Sequence, residues 1–306
     1  MKGATEQIWM DGQFVPWDDA KIHVLTHSLH YGLGVFEGIR CYKTRRGPAV
    51  FRLHEHMRRL FDSARIVGIE MPFDRKTCTE AVLETVRKNK MEACYIRPLV
   101  WLGYGSMGVN PTGAPVRCMV AVWSWGAYLG EEGLTKGIRC KVSSFTSHHP
   151  NSYMTKAKTT GNYAVSQLAK LEAVKGGYDE AIMLDPEGLV AQGSGENIFI
   201  VRDGVLKTPP LHGVLRGVTR DTVLELAREQ SLPIEVASVT RDEVYTADEA
   251  FFTGTAAEVT PIREVDGRPV GPGKPGPVTQ RLQAAFFAVV NGEDEGHAGW
   301  LTAVYK

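Results

Sequence analysis

The chain is 306 residues long, 43% hydrophobic and 23% charged, with Lys+Arg and Asp+Glu balanced at 35 each. That length exceeds the usual single domain, and the apolar fraction can fill two cores. The even balance leaves no basic surplus for nucleic acid or an anionic membrane, and no apolar run is long enough to span one.

Met1 to Gln7 has no apolar segment, so no signal peptide is expected. Cys41, Cys78, Cys94, Cys118 and Cys140 are odd in number and lack C-x-x-C spacing. They read as the thiols of a reduced, cytoplasmic protein.

Ile8 to Pro16 reads as a strand, an Asp11-Gly12 turn and a second strand. His27 to Tyr42 follows, with glycines at Gly32, Gly34 and Gly38 among Tyr31, Phe36 and Tyr42. Small residues between rings suit a pocket wall for an apolar side chain, and equally a glycine-punctuated core strand. Leu53 to Val67 predicts a helix with a basic face of Arg52, His54, His56, Arg58, Arg59 and Arg65. One of its arginines could reach a phosphate, whose geometry the guanidinium fork matches. No metal is expected here: His54 and His56 would point about 200° apart on a helix, and no third ligand is in sight.

A helix over Thr77 to Asn89 leads into a strand, Ala93 to Leu102, with Tyr95, Arg97 and Leu99 on one face. Facing a pocket, Arg97 could receive a carboxylate; otherwise it is a paired edge charge. Gly103 to Gly108 fits G-x-G-x-x-G, but turn chemistry rather than a helix follows it, which argues against a dinucleotide site. Val116 to Trp125 is a buried strand, and the glycine-rich, charged Gly126 to Gly133 is the expected domain boundary.

Ile138 to Phe145 restarts the strands. Tyr153 to Tyr163 then carries Lys156 and Lys158 immediately before an apolar helical pattern at Ala164, Val165, Leu168, Ala169 and Leu171. A lysine held in a tight loop before a buried helix can be desolvated, which favours the neutral nucleophile needed for a Schiff base. The alternative is a solvated loop with surface lysines. Asp179 to Asp185 and Leu189 to Val201 are strands. Two glycine-bearing helix starts are expected later. Leu215 to Asp221 would open a helix over Thr222 to Glu229, and Phe252 to Pro261 forms the second. Both could hold a phosphate, and neither is a nucleotide P-loop. Pro277 to Val290 is an amphipathic helix. Alternating strands and helices predict two α/β domains.

Ordered motifs now point further: YGLGVFEGIRCY at Tyr31–Tyr42, YIRPL at Tyr95–Leu99, MGVNP at Met107–Pro111 and WGAYLG at Trp125–Gly130. GNY at Gly161–Tyr163, GENIF at Gly195–Phe199 and GTAAEVTP at Gly254–Pro261 continue the series. The chain resembles, nearly end to end, the branched-chain amino-acid aminotransferases of the pyridoxal 5′-phosphate (PLP) fold type IV. The resemblance implies a small N-terminal α/β domain over 1–126, an interdomain loop over 127–137, and a larger PLP-binding domain over 138–306. It implies transamination between leucine, isoleucine or valine and 2-oxoglutarate. Lys158 would hold PLP as a Schiff base and move the proton between substrate Cα and the cofactor. Lys156 would be bystander charge.

By the same resemblance, Arg59, Val218, Thr219 and Thr255 form the phosphate cup, and Tyr163 bonds the ring hydroxyl. Tyr31, Phe36, Trp125 and Tyr128, with Gly38 beside them, enclose the aliphatic side chain. Tyr95 and Thr255-Ala256-Ala257 take the α-carboxylate, and Arg97 takes the γ-carboxylate. Met107 and Val109 lie on a loop that reaches a neighbouring subunit's site, implying a homodimer with shared active sites, open to assembly as a hexamer. Gln192 stands where the family has a glutamate under the pyridine nitrogen. A neutral amide cannot hold that nitrogen protonated, so a slower enzyme is expected, with Glu196 as a candidate substitute. The rivals are a D-amino-acid or (R)-amine transaminase, a lyase of the same fold, and a binding protein that has lost turnover.

Overall fold

The computed structural model describes residues 3–126 and 128–305. Met1, Lys2, Lys306 and Ala127 (the first residue of the expected interdomain loop) lie outside the described residues. The strands are β1 Gln7–Met10, β2 Gln13–Pro16, β3 Gly34–Phe36, β4 Ile39–Thr44, β5 Gly47–Phe51, β6 Cys94–Leu102, β7 Val116–Trp123, β8 Ile138–Val142 and β9 Glu180–Leu184. They continue with β10 Val190–Gly193, β11 Asn197–Arg202, β12 Val205–Thr208, β13 Ile234–Val236, β14 Glu249–Gly254, β15 Glu258–Val265, β16 Arg268–Pro269 and β17 Leu301–Ala303. The α-helices are α1 His27–Tyr31, α2 Leu53–Ile66, α3 Arg75–Lys88, α4 Glu131–Lys136, α5 Tyr163–Lys175, α6 Val218–Glu229, α7 Arg241–Thr246 and α8 Pro277–Val290. They group into two compact units. One holds the chain up to Trp125, Ala157–Gly161 and the chain from Val289 onward; the other holds Gly126–Lys156 and Asn162–Ala288.

The first unit contains an eight-stranded antiparallel sheet in the order β17-β5-β4-β6-β7-β1-β2, with β3 also on β6. The β1–β2 hairpin turns at Asp11 and Gly12, with φ of 49° and 93°. Both values lie in the left-handed region that an Asp-Gly pair enters readily. On α2 the buried residues are Leu53, His56, Met57, Leu60, Ser63 and Ala64, one face of a 3.6-residue repeat. β3 and β4 run along β6 in one register, Phe36 opposite Leu99 and Ile39 opposite Ile96. The ladder breaks between them because Pro98 has no N–H to donate. Its carbonyl still accepts from the Glu37 N–H at 2.9 Å. The register is kept across the gap, so Glu37 falls in the same two-residue phase as the fully buried Val35 and Ile39 and is buried with them.

The second unit contains a nine-stranded mixed sheet, β10-β9-β8-β15-β14-β11-β12-β13, with β16 on β15. β8 runs parallel to β9 and β15, and β12 parallel to β13. Phe199, Phe251 and Phe252 are fully buried, and the first two stack at 5.0 Å.

Three expectations are corrected here. α6 begins at Val218, not Thr222, because Gly217 is the break and the residues after it sustain a helix. No helix starts within Phe252–Pro261: β14 returns through Thr255-Ala256-Ala257 into β15 as a hairpin, and Val259, Thr260 and Ile262 favour the strand. On α5, Ala169 and Ala173 are the residues buried and Val165 packs beside them, while Leu168, Leu171 and Val174 are about half exposed and face outward.

Candidate active site

In the first unit the Lys158 segment is fixed by its backbone. The Phe36 N–H donates to the Lys158 carbonyl at 3.0 Å, the Thr160 N–H donates to the Gly34 carbonyl at 2.9 Å, and Val35 bridges Thr159. Ala157–Gly161 thus lies along β3 as a short antiparallel partner. The Lys158 N–H donates to Ser63 Oγ at 3.0 Å, and the Lys158 amine stands 4.8 Å from the Phe36 ring centroid. Both ends of the residue are held, and its side chain keeps an aromatic face beside it. Lys156 is placed in the second unit, where its Nζ donates to the Val214 carbonyl at 2.9 Å. Burial pushes the Lys156 amine below its usual pKa, and the Arg220 charge pushes the same way.

One face of α2 presents His56, Arg59 and Ser63, spaced i, i+3 and i+7. Glu37, fully buried, accepts from Arg59 Nε at 2.6 Å, Arg59 Nη2 at 2.8 Å, His56 Nδ1 at 2.7 Å and the Gly38 N–H at 3.2 Å. Burial alone would raise the Glu37 carboxyl. The Arg59 and His56 charges, with their hydrogen bonds, more than offset it and hold the group well below the usual carboxylate range. Burial lowers the His56 pKa; Glu37 opposes that shift, while Arg59 and Lys158 add to it.

Arg97 sits among rings. Its guanidinium carbon is 4.7 Å from Phe36, 5.4 Å from Tyr95 and 5.7 Å from Trp123, measured to ring centroids. Tyr95 in turn packs on Trp123 at 5.1 Å and Trp125 at 4.6 Å. Among the described residues no acceptor reaches the buried Arg97 Nε. A cation walled by aromatic faces, with a buried donor that has no protein acceptor, can take a carboxylate while the same walls take hydrocarbon. Gly38 lies against this cluster: a Cβ on it would stand 1.9 Å from the Tyr95 hydroxyl. Tyr31 is exposed, and its hydroxyl accepts from the Gly108 N–H at 3.0 Å, tying the loop that carries the exposed Met107 and Val109.

In the second unit Gly217 caps α6 without a side-chain hydrogen bond, and Val218 and the buried Thr219 occupy its first turn. A helix start without a side-chain cap offers N–H donors to an anion. Gly217 must be glycine for space: a Cβ there would meet Asn197 Oδ1 at 2.1 Å. Tyr163 opens α5; Thr255, Ala256 and Ala257 form the β14–β15 turn. Gln192 is half-buried on β10 beside an irregular pairing with β9. Glu196 is buried, accepting from the Gly195 N–H at 3.0 Å, and its carboxylate fills the space where Gly193 lacks a Cβ. Tyr128 lies under the Lys170 amine, 5.2 Å from it.

The family profile of the class IV amino-transferases matches residues 34–265. The chain belongs to the class IV aminotransferases. A Pseudomonas aeruginosa branched-chain-amino-acid aminotransferase is 57% identical over 297 residues, 97% of each chain. An Escherichia coli branched-chain amino acid aminotransferase structure has a TM-score of 0.96 at 48% identity, covering 98% of this chain and 99% of that one. A T.th. branched-chain amino acid aminotransferase, solved with pyridoxamine 5′-phosphate, has a TM-score of 0.96 at 50% identity, covering 99% of this chain and 100% of that one. The mixed α/β architecture and its two sheets are those expected of the fold.

Reading the sequence of this aminotransferase missed Glu37, the helix-face role of His56, and Ser63. A signal for the last two existed: both polar residues fall in the apolar phase of α2, where unpaired polar groups are costly. Glu37 carried a weaker one: it falls in the same two-residue phase as the apolar Val35, Ile39 and Cys41, all buried.

Proposed function

We propose that this class IV aminotransferase exchanges the amino group between branched-chain L-amino acids and 2-oxoglutarate using PLP held on Lys158. The names of its relatives support the reaction, and the complex of one of them with pyridoxamine 5′-phosphate supports the cofactor. The observation that carries the substrate reading is Arg97. An amino donor with an aliphatic side chain and one with a carboxylate must use the same pocket, and the ring-walled guanidinium offers both surfaces.

The groups in each unit suit PLP. In the first, a backbone-fixed lysine suits an aldehyde and an arginine held by a carboxylate suits a phosphate; in the second, an uncapped helix start with Thr219 in its first turn suits a phosphate. When bound, PLP supplies the carbonyl that accepts the amine and a ring that draws electrons from the Cα–H bond. Lys158 Nζ takes the Cα proton and returns it to complete the transfer. We assign the phosphate to Arg59, Val218, Thr219 and Thr255, and the ring to Tyr163 and Gln192. Phe36, Gly38, Tyr31, Trp125 and Tyr128 enclose the side chain, Tyr95 with Thr255, Ala256 and Ala257 orients the α-carboxylate, and Arg97 meets the γ-carboxylate. We further assign a cytoplasmic homodimer with shared sites. Ile22, Val24, Leu29 and Val109 support it, because they expose apolar side chains, Val109 at 88%, that a second copy would cover. No helix among the described residues is long and apolar enough to cross a membrane.

Rates on L-leucine, D-alanine and (R)-1-phenylethylamine with 2-oxoglutarate test the reading. Leucine should be used at least tenfold faster; preference for either other amine would move the chain to another activity of the fold.

A further inference from the structure

We infer that Glu37 is a positioning residue for the cofactor phosphate, acting through Arg59, with His56 Nδ1 as its second support. The inference rests on the assignment of Arg59 to the PLP phosphate. Four donors converge on the buried Glu37 carboxylate, two of them from one guanidinium: Nε on one oxygen and Nη2 on the other. A fork gripped along that edge cannot rotate, so its remaining N–H groups keep one direction. Glu37 is itself fixed. Its N–H is bonded to Pro98, its neighbour Phe36 is bonded to Lys158, and the Gly38 N–H returns to its own carboxylate. The same two-residue link therefore sets the lysine from one side and the arginine from the other.

Two effects of removing the Glu37 charge oppose each other, and their sign separates a positioning role from simple counter-charge. By Coulomb's law alone, deleting an anion beside Arg59 makes the region more positive and tightens a phosphate ester. By positioning, an amide cannot accept from both guanidinium nitrogens and from His56. Its own NH2 would also face donors, so Arg59 turns and the ester binds more weakly.

The experiment titrates the apo forms of wild type, E37Q, R59M and E37Q/R59M with PLP and with pyridoxal, which lacks the phosphate. Absorbance follows binding, and borohydride trapping at Lys158 serves as the check on the cofactor assignment. The inference expects E37Q and R59M each to weaken PLP at least tenfold and to change pyridoxal less than threefold. It expects the double variant to resemble R59M within about twofold, since Glu37 acts through Arg59. Tighter or unchanged PLP in E37Q, multiplicative losses in the double variant, or equal losses for pyridoxal would each overturn it. If Lys158 is not labelled, or R59M keeps wild-type affinity, the underlying assignment has failed instead. Should E37Q not fold, Glu37→Asp takes its place: it keeps the charge and the carboxylate fork but is one methylene too short to reach Arg59 from the same backbone position. Wild-type affinity for PLP in that variant would overturn the inference, and a tenfold loss confined to PLP would support it.

Discussion

The backbone N–H of Phe36 donates to the carbonyl oxygen of Lys158 at 3.0 Å, and the Phe36 ring sits 4.8 Å from the same lysine's amine. That ring also faces Arg97 at 4.7 Å. One aromatic side chain thus borders both Lys158, proposed as the nucleophile, and Arg97, proposed to meet the carboxylate, so changes to the strand that carries it should be felt at both.

Gly38 tests how tightly the link after that strand packs. Its φ is not in the left-handed region, so the glycine is required by space alone: a Cβ would stand 1.9 Å from the Tyr95 hydroxyl. Gly38→Ala must push Tyr95 aside by an ångström or more. Steady-state kinetics should show kcat/KM falling about a hundredfold, the scale of a 1 Å misplacement.

If Arg97 meets the γ-carboxylate as proposed, replacing it should separate the two substrates. In Arg97→Met the charged donor is lost while the rings gain an apolar neighbour. Single half-reactions, followed by absorbance, should slow for glutamate by about 10- to 150-fold, equivalent to one charged hydrogen bond, and for leucine by less than about threefold. Equal losses would place the γ-carboxylate elsewhere.

The pH dependence of stability should pass through His56. Its folded pKa is depressed, chiefly by burial, so below the unfolded value near 6.5 the unfolded chain binds a proton that the folded one refuses. Stability is complete above that value and declines as pH falls toward the folded pKa, by up to about 1.4 kcal/mol per pH unit for one proton. His56→Asn keeps a donor toward Glu37 but cannot titrate. Urea unfolding of the apo protein at pH 7 and pH 5 should give a smaller loss for the variant than for wild type.

Gln192 should limit the rate. At the position proposed for it, a neutral amide would leave the cofactor nitrogen without a charged partner. Gln192→Glu is expected to raise kcat for leucine on the order of tenfold, a barrier change of about 1.4 kcal/mol. An unchanged kcat would point to Glu196, or to no ring-nitrogen partner at all.

Much of this was legible in the sequence where local chemistry decides. Asp11-Gly12 set a hairpin, the α2 repeat set a helix within a residue of its observed end, and Pro277 to Val290 formed the expected helix. Long-range partners decided the rest. The turn at Thr255-Ala256-Ala257 offered glycine and small residues, as a helix start would, and the pairing of β15 with β8 and β14 made it a hairpin. On α5 the apolar spacing suggested burial, yet Leu168 and Leu171 face outward, because periodicity marks a face without saying what covers it. Arg59 was one of several basic residues on α2 until its partner Glu37, carried by the link between β3 and β4, distinguished it.

The central claim is the covalent role of Lys158, and one measurement bears on it most directly. The holoenzyme is reduced with borohydride, digested and mapped by mass spectrometry for the phosphopyridoxyl group. The label should fall on the peptide containing Lys158, at that residue and not at Lys156, and Lys158→Ala should abolish it. A label on Lys156 or on any other side chain, or an active holoenzyme carrying none, would contradict the account.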